Sequence, residues 1–320
     1  MGLARTILVV TAASLLAFLT LQAQEVVFRV DVRLVHVLAT VKDPSGELVG
    51  TLTKEDFTVL DNGVKQKLEV FERQTEQPLS VALLIDTSLS TAKDFRYEMD
   101  SVSRFLRAVF REGNPQDSVA LYSFSYNVTK LSGFTRDRER LDGSLRGLSP
   151  DSSSSLYDAI YLVAQDLETR DGRRVMILVT DGGDTTSSKN FQQALEAAQR
   201  ADAVLYTVLV VPITNDAGRN VGGENALTML AAGTAGRVFT PSAGPAVEAA
   251  FSDILKDLRT QYYLGYYPHN VPPSRDRFHR LEVGVKNPDL RVFARSGYYE
   301  EVEPQPAPRT QRWRTAPDKR

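Results

Sequence analysis

The amino-acid sequence predicts an α/β fold: a doubly wound, mostly parallel sheet with a small β-rich companion formed by the N- and C-terminal flanks. Continuous apolar runs at 81–85 and 175–179 are typical of strands covered on both faces. Between such runs, apolar residues recur at helical spacing, as in 95–109. Residues in the flanks 25–78 and 261–300 instead alternate between apolar and polar, which is the period of half-buried strands.

The central part of the chain, residues 79–260, alternates predicted strands with predicted helices. The strands are expected at 81–85, 119–124, 128–134, 175–179, 204–211 and 238–239. The helices are expected at 95–109, 156–167, 191–198, 227–231 and 247–258. Strands and helices that alternate in this way indicate a mostly parallel sheet with helices on both faces.

The N-terminal flank, 25–78, has the pattern of strands joined by turns. The apolar alternation that begins at Phe28 changes phase after Leu34, which suggests a β-bulge or a bend. Asn62 and Gly63 lie between apolar runs, and this pair is a strong hairpin signal.

The C-terminal flank returns to the strand pattern. Its strands are expected at 262–267, 281–285 and 290–294. We expect 25–78 and 261–300 to build one β-rich companion together. The last segment, 301–320, holds four prolines and many charges, and it is predicted to be a disordered tail.

Residues 1–23 are predicted to form a secretory signal peptide. Arg5 supplies a positive charge, 7–21 is almost wholly apolar, and Ala23 is a small residue where cleavage is expected. The alternative is an uncleaved membrane anchor, because the apolar run is of marginal length for a span. The predicted location is therefore extracytoplasmic, periplasmic or secreted, with membrane attachment only if the segment stays uncleaved.

Composition excludes several classes of protein. The chain has no cysteine, so an exported form is neither a disulfide scaffold nor a lipoprotein tethered through a cysteine. The formal net charge is −2 and no basic groove lined with aromatic side chains is evident, so a nucleic-acid partner is not expected.

Three short segments carry oxygen-bearing side chains where a site is expected. Asp86, Ser88 and Ser90 follow one predicted buried strand directly, and Asp181 ends another. A run of four serines at 152–155 precedes a predicted helix. Ligands of open α/β sheets bind beyond the carboxyl ends of the strands, so we expect these segments to meet.

Carboxylates and hydroxyls are hard oxygen ligands that suit Mg²⁺, and also Mn²⁺ or Ca²⁺. The first segment alone has an ordinary alternative, because Asp and Ser in a strand-to-helix turn also cap helices. Asp181 and the serine loop, in their strand and helix context, favour a metal site over a simple cap.

At this point the sequence resembles a known family, the von Willebrand factor type A domain, whose metal-ion-dependent adhesion site has three parts. The resemblance rests on three motifs in order: Asp86-x-Ser88-x-Ser90, a hydroxyl loop before Leu156-Tyr157-Asp158-Ala159, and Thr180-Asp181-Gly182. It covers about 79–260 and implies a Rossmann-like sheet. The flanks are similar to those of exported bacterial proteins that contain such a domain.

The resemblance implies a role for each candidate ligand. Ser88 and Ser90 would ligate the metal directly, whereas Asp86 and Asp181 would hold it largely through water. The threonine of the family's third loop aligns with Ser154.

Ser154 is a departure from the family pattern. The hydroxyl is retained, but the methyl group that restricts the threonine rotamer is lost. Ser153 and Ser155 are alternative ligands from the same loop.

The expected function is binding rather than catalysis. A metal held by neutral hydroxyls, with carboxylates one water away, stays electrophilic and favours an acidic side chain from a partner protein. One alternative is phosphoryl transfer with Asp86 as nucleophile and Asp181 holding Mg²⁺, although Ser88 stands where a second acid is expected and no phosphate loop follows. A structural envelope protein with a vestigial metal site is the other alternative.

Three further features have ordinary alternatives. Asp184 either orients the site or is a turn carboxylate on the surface. Asp158 is expected to interact with the N-terminus of its own helix. The polar loop at 211–224 lies at the ligand-binding edge, where it either contacts a partner or forms plain surface.

Overall fold

A computed structural model of the protein describes residues 34–73, 77–88, 95–151, 153–210, 220–241 and 245–300. The predictions made for 1–33 and 301–320 lie outside the described residues, as does the proposed ligand Ser90. The described residues from Leu34 onward belong to one compact unit. The domain boundaries within that unit stay predictions.

The described strands, in chain order, are β1 (Val35–Lys42), β2 (Phe57–Asp61), β3 (Val64–Gln66), β4 (Leu68–Arg73), β5 (Leu79–Asp86), β6 (Ser118–Phe124), β7 (Val128–Thr135), β8 (Arg173–Thr180), β9 (Ala203–Leu209), β10 (Val238–Phe239), β11 (Tyr262–Tyr266), β12 (Phe278–Val285), β13 (Arg291–Ala294) and β14 (Gly297–Tyr299). The described α-helices are α1 (Phe95–Glu112), α2 (Arg138–Arg146), α3 (Leu156–Glu168), α4 (Phe191–Arg200), α5 (Val221–Gly233) and α6 (Pro245–Thr260).

The central sheet has the strand order β10-β9-β8-β5-β6-β7. All its neighbours pair in parallel except β7, which lies antiparallel to β6 at one edge. Every residue of β5, β6 and β9 is buried, as their apolar sequences require. Since β5 and β8 are parallel neighbours, their carboxyl ends lie side by side, and this is where a ligand site is expected.

Helices cover both faces of the central sheet. α1, α2 and α6 contribute to the apolar core on one face, where the rings of Phe105 and Phe251 lie 4.9 Å apart. α3, α4 and α5 contribute to the core on the other face. The predicted doubly wound fold is therefore confirmed. In the described part of the chain, no helix has both the length and the apolar character needed to cross a membrane.

Helix α2 is not predicted from the sequence. This helix of nine residues buries two side chains, Leu141 and Leu145, while the rest of it is strongly polar. Two apolar residues are too few to produce a helical period. The helix starts at a local cap instead, because the Asp137 side chain accepts a hydrogen bond of 3.1 Å from the Arg140 backbone N–H.

The β-rich companion consists of two antiparallel sheets, with the orders β13-β1-β11-β4 and β14-β12-β2-β3. Each combines strands from both ends of the chain: β1 pairs with β11 and β13, and β2 pairs with β12. Side chains such as Val37, Val59 and Tyr262 fill a core between them. The prediction that the flanks build a companion is confirmed.

The turn between β2 and β3 is the predicted hairpin. Asn62 has a φ of 46° and Gly63 a φ of 80°, so two consecutive residues adopt the left-handed region. A two-residue hairpin turn of this type matches the twist of the strands, and Asn-Gly is the pair that tolerates it best.

The companion joins the α/β domain at the end of the sheet opposite the carboxyl edge. β5 starts soon after β4, and β11 follows α6 with one residue between them. The buried Asp257 of α6 forms ion pairs with Lys42 of β1, at 3.4 Å, and with Arg237, at 2.8 Å. Burial raises the pKa of the Asp257 carboxyl, and the two cations oppose that change.

Candidate metal site

Asp86 is the last residue of β5 and is fully buried at the carboxyl edge of the sheet. Its Oδ1 accepts a hydrogen bond of 2.9 Å from the backbone N–H of Ser88. This bond turns the chain sharply after the strand, so that Ser88 stays close to the carboxylate. Asp86 and Ser88 are thus held together.

The other oxygen of Asp86 faces the neighbouring strand and the serine loop. Oδ2 accepts a hydrogen bond of 2.6 Å from the hydroxyl of Thr180, the last residue of β8. The Ser154 hydroxyl donates to the same oxygen at 3.5 Å. Three segments distant in sequence therefore converge on one carboxylate.

The role of Thr180 was not predicted from the sequence. Its side chain is completely buried, and its hydroxyl also accepts a hydrogen bond of 3.0 Å from the backbone N–H of Gly182. Thr180 thereby fixes both the Asp86 carboxylate and the start of the loop that contains Asp181. Its position directly before Asp181, at the end of a buried strand, is the signal that could have identified it.

Burial, with a smaller contribution from the nearby charge of Asp181, raises the pKa of Asp86 to about 6. The hydrogen bonds from Thr180 and Ser88 act in the opposite direction. A divalent cation beside this carboxylate would stabilise its charged form.

Asp181 begins the loop after β8 and is half-buried. Its Oδ1 accepts a hydrogen bond of 3.0 Å from the backbone N–H of Gly183. Gly182, between them, has a φ of +85°, which an L side chain rarely adopts. The glycine thus permits the turn that keeps the Asp181 carboxylate beside the strand end.

The serine loop is fastened to the loop after Asp181. The Ser154 carbonyl accepts hydrogen bonds from the backbone N–H groups of Thr185, at 2.8 Å, and Thr186, at 3.1 Å. The Ser155 hydroxyl donates to the Tyr126 carbonyl at 3.0 Å. Because the Ser155 hydroxyl points to Tyr126 whereas that of Ser154 points to Asp86, the geometry favours Ser154 over Ser155 as the ligand. Ser153, the other alternative from this loop, has a φ of 65°, so its backbone lies in the left-handed region.

Asp184 and Asp158 hold the surrounding loops. Asp184 accepts hydrogen bonds from the Ser187 hydroxyl, at 2.5 Å, and from the Tyr157 backbone N–H, at 3.4 Å. Asp158 accepts from the backbone N–H groups of two loop residues, at 2.9 and 2.7 Å. Both carboxylates therefore connect α3 to the loop after β8, and Asp158 also lies in the first turn of α3, where the expected interaction with the helix N-terminus is possible.

The donor set suits a hard divalent cation. Asp86, Ser88, Ser154 and Asp181 present two carboxylates and two hydroxyls at one edge of the sheet. Within the part of the chain that the structure describes, no three His, Asp or Glu side chains are grouped as a metal site. A cation here would therefore depend on hydroxyl ligands as well as on carboxylates.

Residues 81–185, which contain these segments, match the family model of the von Willebrand factor type A domain. This part of the chain is therefore similar to a von Willebrand factor type A domain. The match spans β5 to the loop after β8, so it includes Asp86, Ser88, Ser154 and Asp181. The resemblance stated from the three motifs is confirmed.

Several solved structures are similar to this type A domain. An aerotolerance-related membrane protein from Bacteroides fragilis is 18% identical, with 56% of this chain and 98% of that chain covered, at a TM-score of 0.45. The vWF domain of the type V pili tip protein Mfa5 from Porphyromonas gingivalis is 15% identical. The match covers 56% of this chain and 94% of that chain, at a TM-score of 0.47. Proximal thread matrix protein 1 from the mussel byssus is 15% identical. The match covers 62% of this chain and 51% of that chain, at a TM-score of 0.49. The search of curated proteins gave no match.

Proposed function

We propose that the protein is an exported binding protein whose type A domain recognises an acidic side chain of a partner protein through a divalent cation. The ligands would be Asp86, Ser88, Ser90, Ser154 and Asp181. The observation that supports the proposal most strongly is the convergence on Asp86, where the hydroxyls of Thr180 and Ser154 meet one buried carboxylate.

The chemistry of the donor set favours an exchangeable partner ligand. A bound Mg²⁺ or Mn²⁺ would supply a positive charge that attracts an anionic oxygen. Neutral hydroxyls from Ser88 and Ser154 leave more of that charge uncompensated than carboxylates would. The chain's own residues would hold the ion, and an acidic side chain of the partner would complete its set of ligands.

The same residues give little support to the phosphoryl-transfer alternative. The Asp86 carboxylate accepts hydrogen bonds from Thr180 and Ser88, which hold both oxygens in place. A phosphoryl-transfer site of this kind is expected to carry a second acid two residues beyond the nucleophile, where this chain has Ser88. Binding without bond cleavage is therefore the function we infer.

Isothermal titration calorimetry with Mg²⁺ and Mn²⁺ tests the metal site. Asp86→Ala should abolish measurable binding, because it removes the carboxylate that the other groups surround. Asp253→Ala is the matched control, since this exposed aspartate of α6 pairs with a lysine three residues away. Equal affinity of Asp86→Ala and wild type would refute the proposed site.

Export and the acidic partner are tested on the native protein. The chain should be recovered from the extracytoplasmic fraction of its source cells without residues 1–23. Partner capture from that fraction should require the cation, so that adding a chelator releases the partner. Capture that is unchanged by the chelator would refute recognition through the metal.

A further inference from the structure

A cluster of polar side chains lies inside the β-rich companion, between its two sheets. Its members, here called the companion cluster, are Asp61, Tyr266, His279 and Tyr298. The first three are buried and Tyr298 is half-buried, in a core that is otherwise mostly apolar. Buried polar groups are costly to place in such a core, and well-packed apolar residues often replace them without loss of stability. Packing alone therefore does not explain the companion cluster.

The pairing of the strands brings these side chains together. His279 of β12 lies directly opposite Tyr298 of β14. Asp61 of β2 lies opposite Leu281, two residues further along β12. Since residues two apart share one face of a strand, these side chains project from the same face of their sheet. Tyr266 reaches them from β11, which belongs to the other sheet of the companion. The companion cluster thus connects both sheets.

The polar atoms of the companion cluster are spaced like the ligands of one metal ion. Oδ2 of Asp61 is 2.7 Å from the Tyr266 hydroxyl and 2.8 Å from the Tyr298 hydroxyl. Nδ1 of His279 is 2.9 Å from Oδ1 of Asp61 and 3.2 Å from the Tyr298 hydroxyl. Two neighbouring ligands bonded to one ion at about 2.0–2.1 Å are about 2.8–3.4 Å apart in octahedral or tetrahedral geometry. A cation among these atoms would therefore require only small movements of the side chains.

The charge of the companion cluster matches ferric iron. Carboxylate and phenolate oxygens are hard anionic ligands, imidazole suits iron, and tyrosine is an established iron ligand in proteins. With both phenols ionised, Asp61, Tyr266 and Tyr298 would supply three negative charges, and His279 would be a neutral ligand. Three negative charges neutralise Fe³⁺, whereas a divalent cation would leave one negative charge buried without compensation.

Without a cation, the companion cluster is held by hydrogen bonds. Burial raises the pKa of Tyr266 and of Tyr298, so both hydroxyls keep their protons and donate them to Asp61. Nε2 of His279 has no hydrogen-bond partner among the described residues, so no contact at that atom fixes which ring nitrogen carries the proton. Binding of Fe³⁺ would release the two phenol protons to solvent and leave the imidazole proton on Nε2, with no change in the oxidation state of the iron.

We propose that Asp61, Tyr266, His279 and Tyr298 form a ferric iron site inside the companion. The site needs only one carboxylate and one imidazole, because two phenols supply the other ligands. A bound ion would fasten β11 to the sheet that contains β2, β12 and β14. The inference is independent of the proposed function, since these residues lie in the companion and none of them is a proposed ligand in the α/β domain.

Absorption spectroscopy of the full chain tests the inference. The metal-free protein is titrated with ferric nitrilotriacetate, because phenolate bound to Fe³⁺ gives a charge-transfer band in the visible range. We expect this band to saturate at one iron per chain and to persist in excess Mg²⁺. The melting temperature should rise with iron, since an ion that binds the folded state stabilises it.

Variants that remove single hydroxyls locate the iron. Tyr266→Phe and Tyr298→Phe should each lower the affinity for iron about tenfold or more and weaken the band, and the double variant should have no band. Tyr299→Phe is the matched control, because Tyr299 is the next residue of β14 and its ring packs against Phe278 at 5.0 Å, outside the companion cluster. This variant should bind iron as wild type does. Circular dichroism establishes that each variant is folded.

Three results would overturn the inference. The first is the absence of a visible band when wild type is mixed with one equivalent of iron, which would leave the companion cluster a structural hydrogen-bond network. This result is decisive whether or not the variants fold. The second is a band of equal intensity in the folded double variant. The third is a band that excess Mg²⁺ abolishes, which would assign the iron to the α/β domain.

Discussion

At the scale of single residues, the carboxylate of Asp86 organises the site. It is buried, and it accepts hydrogen bonds from the uncharged Thr180 hydroxyl and Ser88 backbone N–H. Burial and the nearby Asp181 charge raise its pKa to about 6. Burial makes the ionised form of the carboxylate costly, and a divalent cation bound beside it would offset part of that cost.

Thr180→Val tests the hydrogen bond that orients Asp86. Valine has a similar shape but no hydroxyl, so the buried carboxylate and the Gly182 N–H would each lose a partner. We expect a loss of about 1–3 kcal/mol in the free energy of unfolding and weaker Mg²⁺ binding, measured by urea denaturation and calorimetry. Thr207→Val is the matched control, because the Thr207 hydroxyl is buried without a hydrogen-bond partner among the described residues. If both variants lose equal stability, the Thr180 hydroxyl has no special role.

The raised pKa of Asp86 predicts a pH dependence in metal-free buffer. Between the unfolded value of 3.8 and the folded value of about 6, the folded state binds more protons, so the free energy of unfolding falls as pH rises. Above about pH 6 the free energy of unfolding has fallen by the full amount, about 2–3 kcal/mol. Asp86→Asn lacks this titration, so its stability relative to wild type should rise from pH 4 to about pH 6.5 and then level off. A constant difference across that range would show that Asp86 titrates normally.

At the scale of elements, the contact between α5 and the loop after β8 keeps the site in shape. Gly223 lies against the Gly182 backbone, whereas Gly222 is exposed, with its nearest potential contact at 3.6 Å. Both glycines belong to the first turn of α5. The two positions therefore allow the same substitution to be made with and without a collision.

Gly223→Ala should lower the free energy of unfolding by about 1–3 kcal/mol, because the new Cβ would displace α5 from the Gly182 carbonyl. It should also weaken cation binding, since Asp181 precedes that carbonyl. Gly222→Ala should be neutral or stabilising by up to about 1 kcal/mol, because alanine favours the helix. Thermal and urea denaturation of both variants provide the measurement. A Gly223→Ala variant as stable as Gly222→Ala would contradict the close packing.

The sequence predicts elements well where burial alone decides them. The apolar runs that become β5, β8 and β9 are buried on both faces, so their composition is sufficient. α2 depends instead on two leucines and the Asp137 cap, which produce too weak a period. The role of Thr180 also requires the pairing of β5 with β8, since that pairing brings its hydroxyl to Asp86. The segment that contains Ser90 lies outside the described residues.

At the scale of the whole molecule, the companion and the candidate metal site lie at opposite ends of the central sheet. Asp257 connects the companion to the domain through Lys42 and Arg237, and its carboxylate is almost completely buried. Arg173, also buried, donates to the Leu258 carbonyl and, at 2.8 Å, to the Gln261 side chain. These polar contacts fix the end of α6 beside the companion and are remote from the proposed ligands.

Asp257→Ala should therefore lower the free energy of unfolding and leave the affinity for Mg²⁺ unchanged. Removing the carboxylate leaves two cations without their buried partner, which typically costs about 3–5 kcal/mol. Asp253→Ala, on the exposed face of the same helix, should change the free energy of unfolding by less than about 0.5 kcal/mol. Both variants should bind Mg²⁺ as wild type does at temperatures where they are folded. A large loss of Mg²⁺ affinity in folded Asp257→Ala would show that the two ends of the sheet are coupled.

The central claim is that one divalent cation is held at the carboxyl edge of the sheet. A crystal structure grown with Mn²⁺, with anomalous difference density collected for that ion, tests it most directly. We predict a single strong peak among the oxygens of Asp86, Ser88, Ser90, Ser154 and Asp181. Fully occupied Mn²⁺ elsewhere, or no peak between Asp86 and Ser154 at a saturating concentration, would contradict the account.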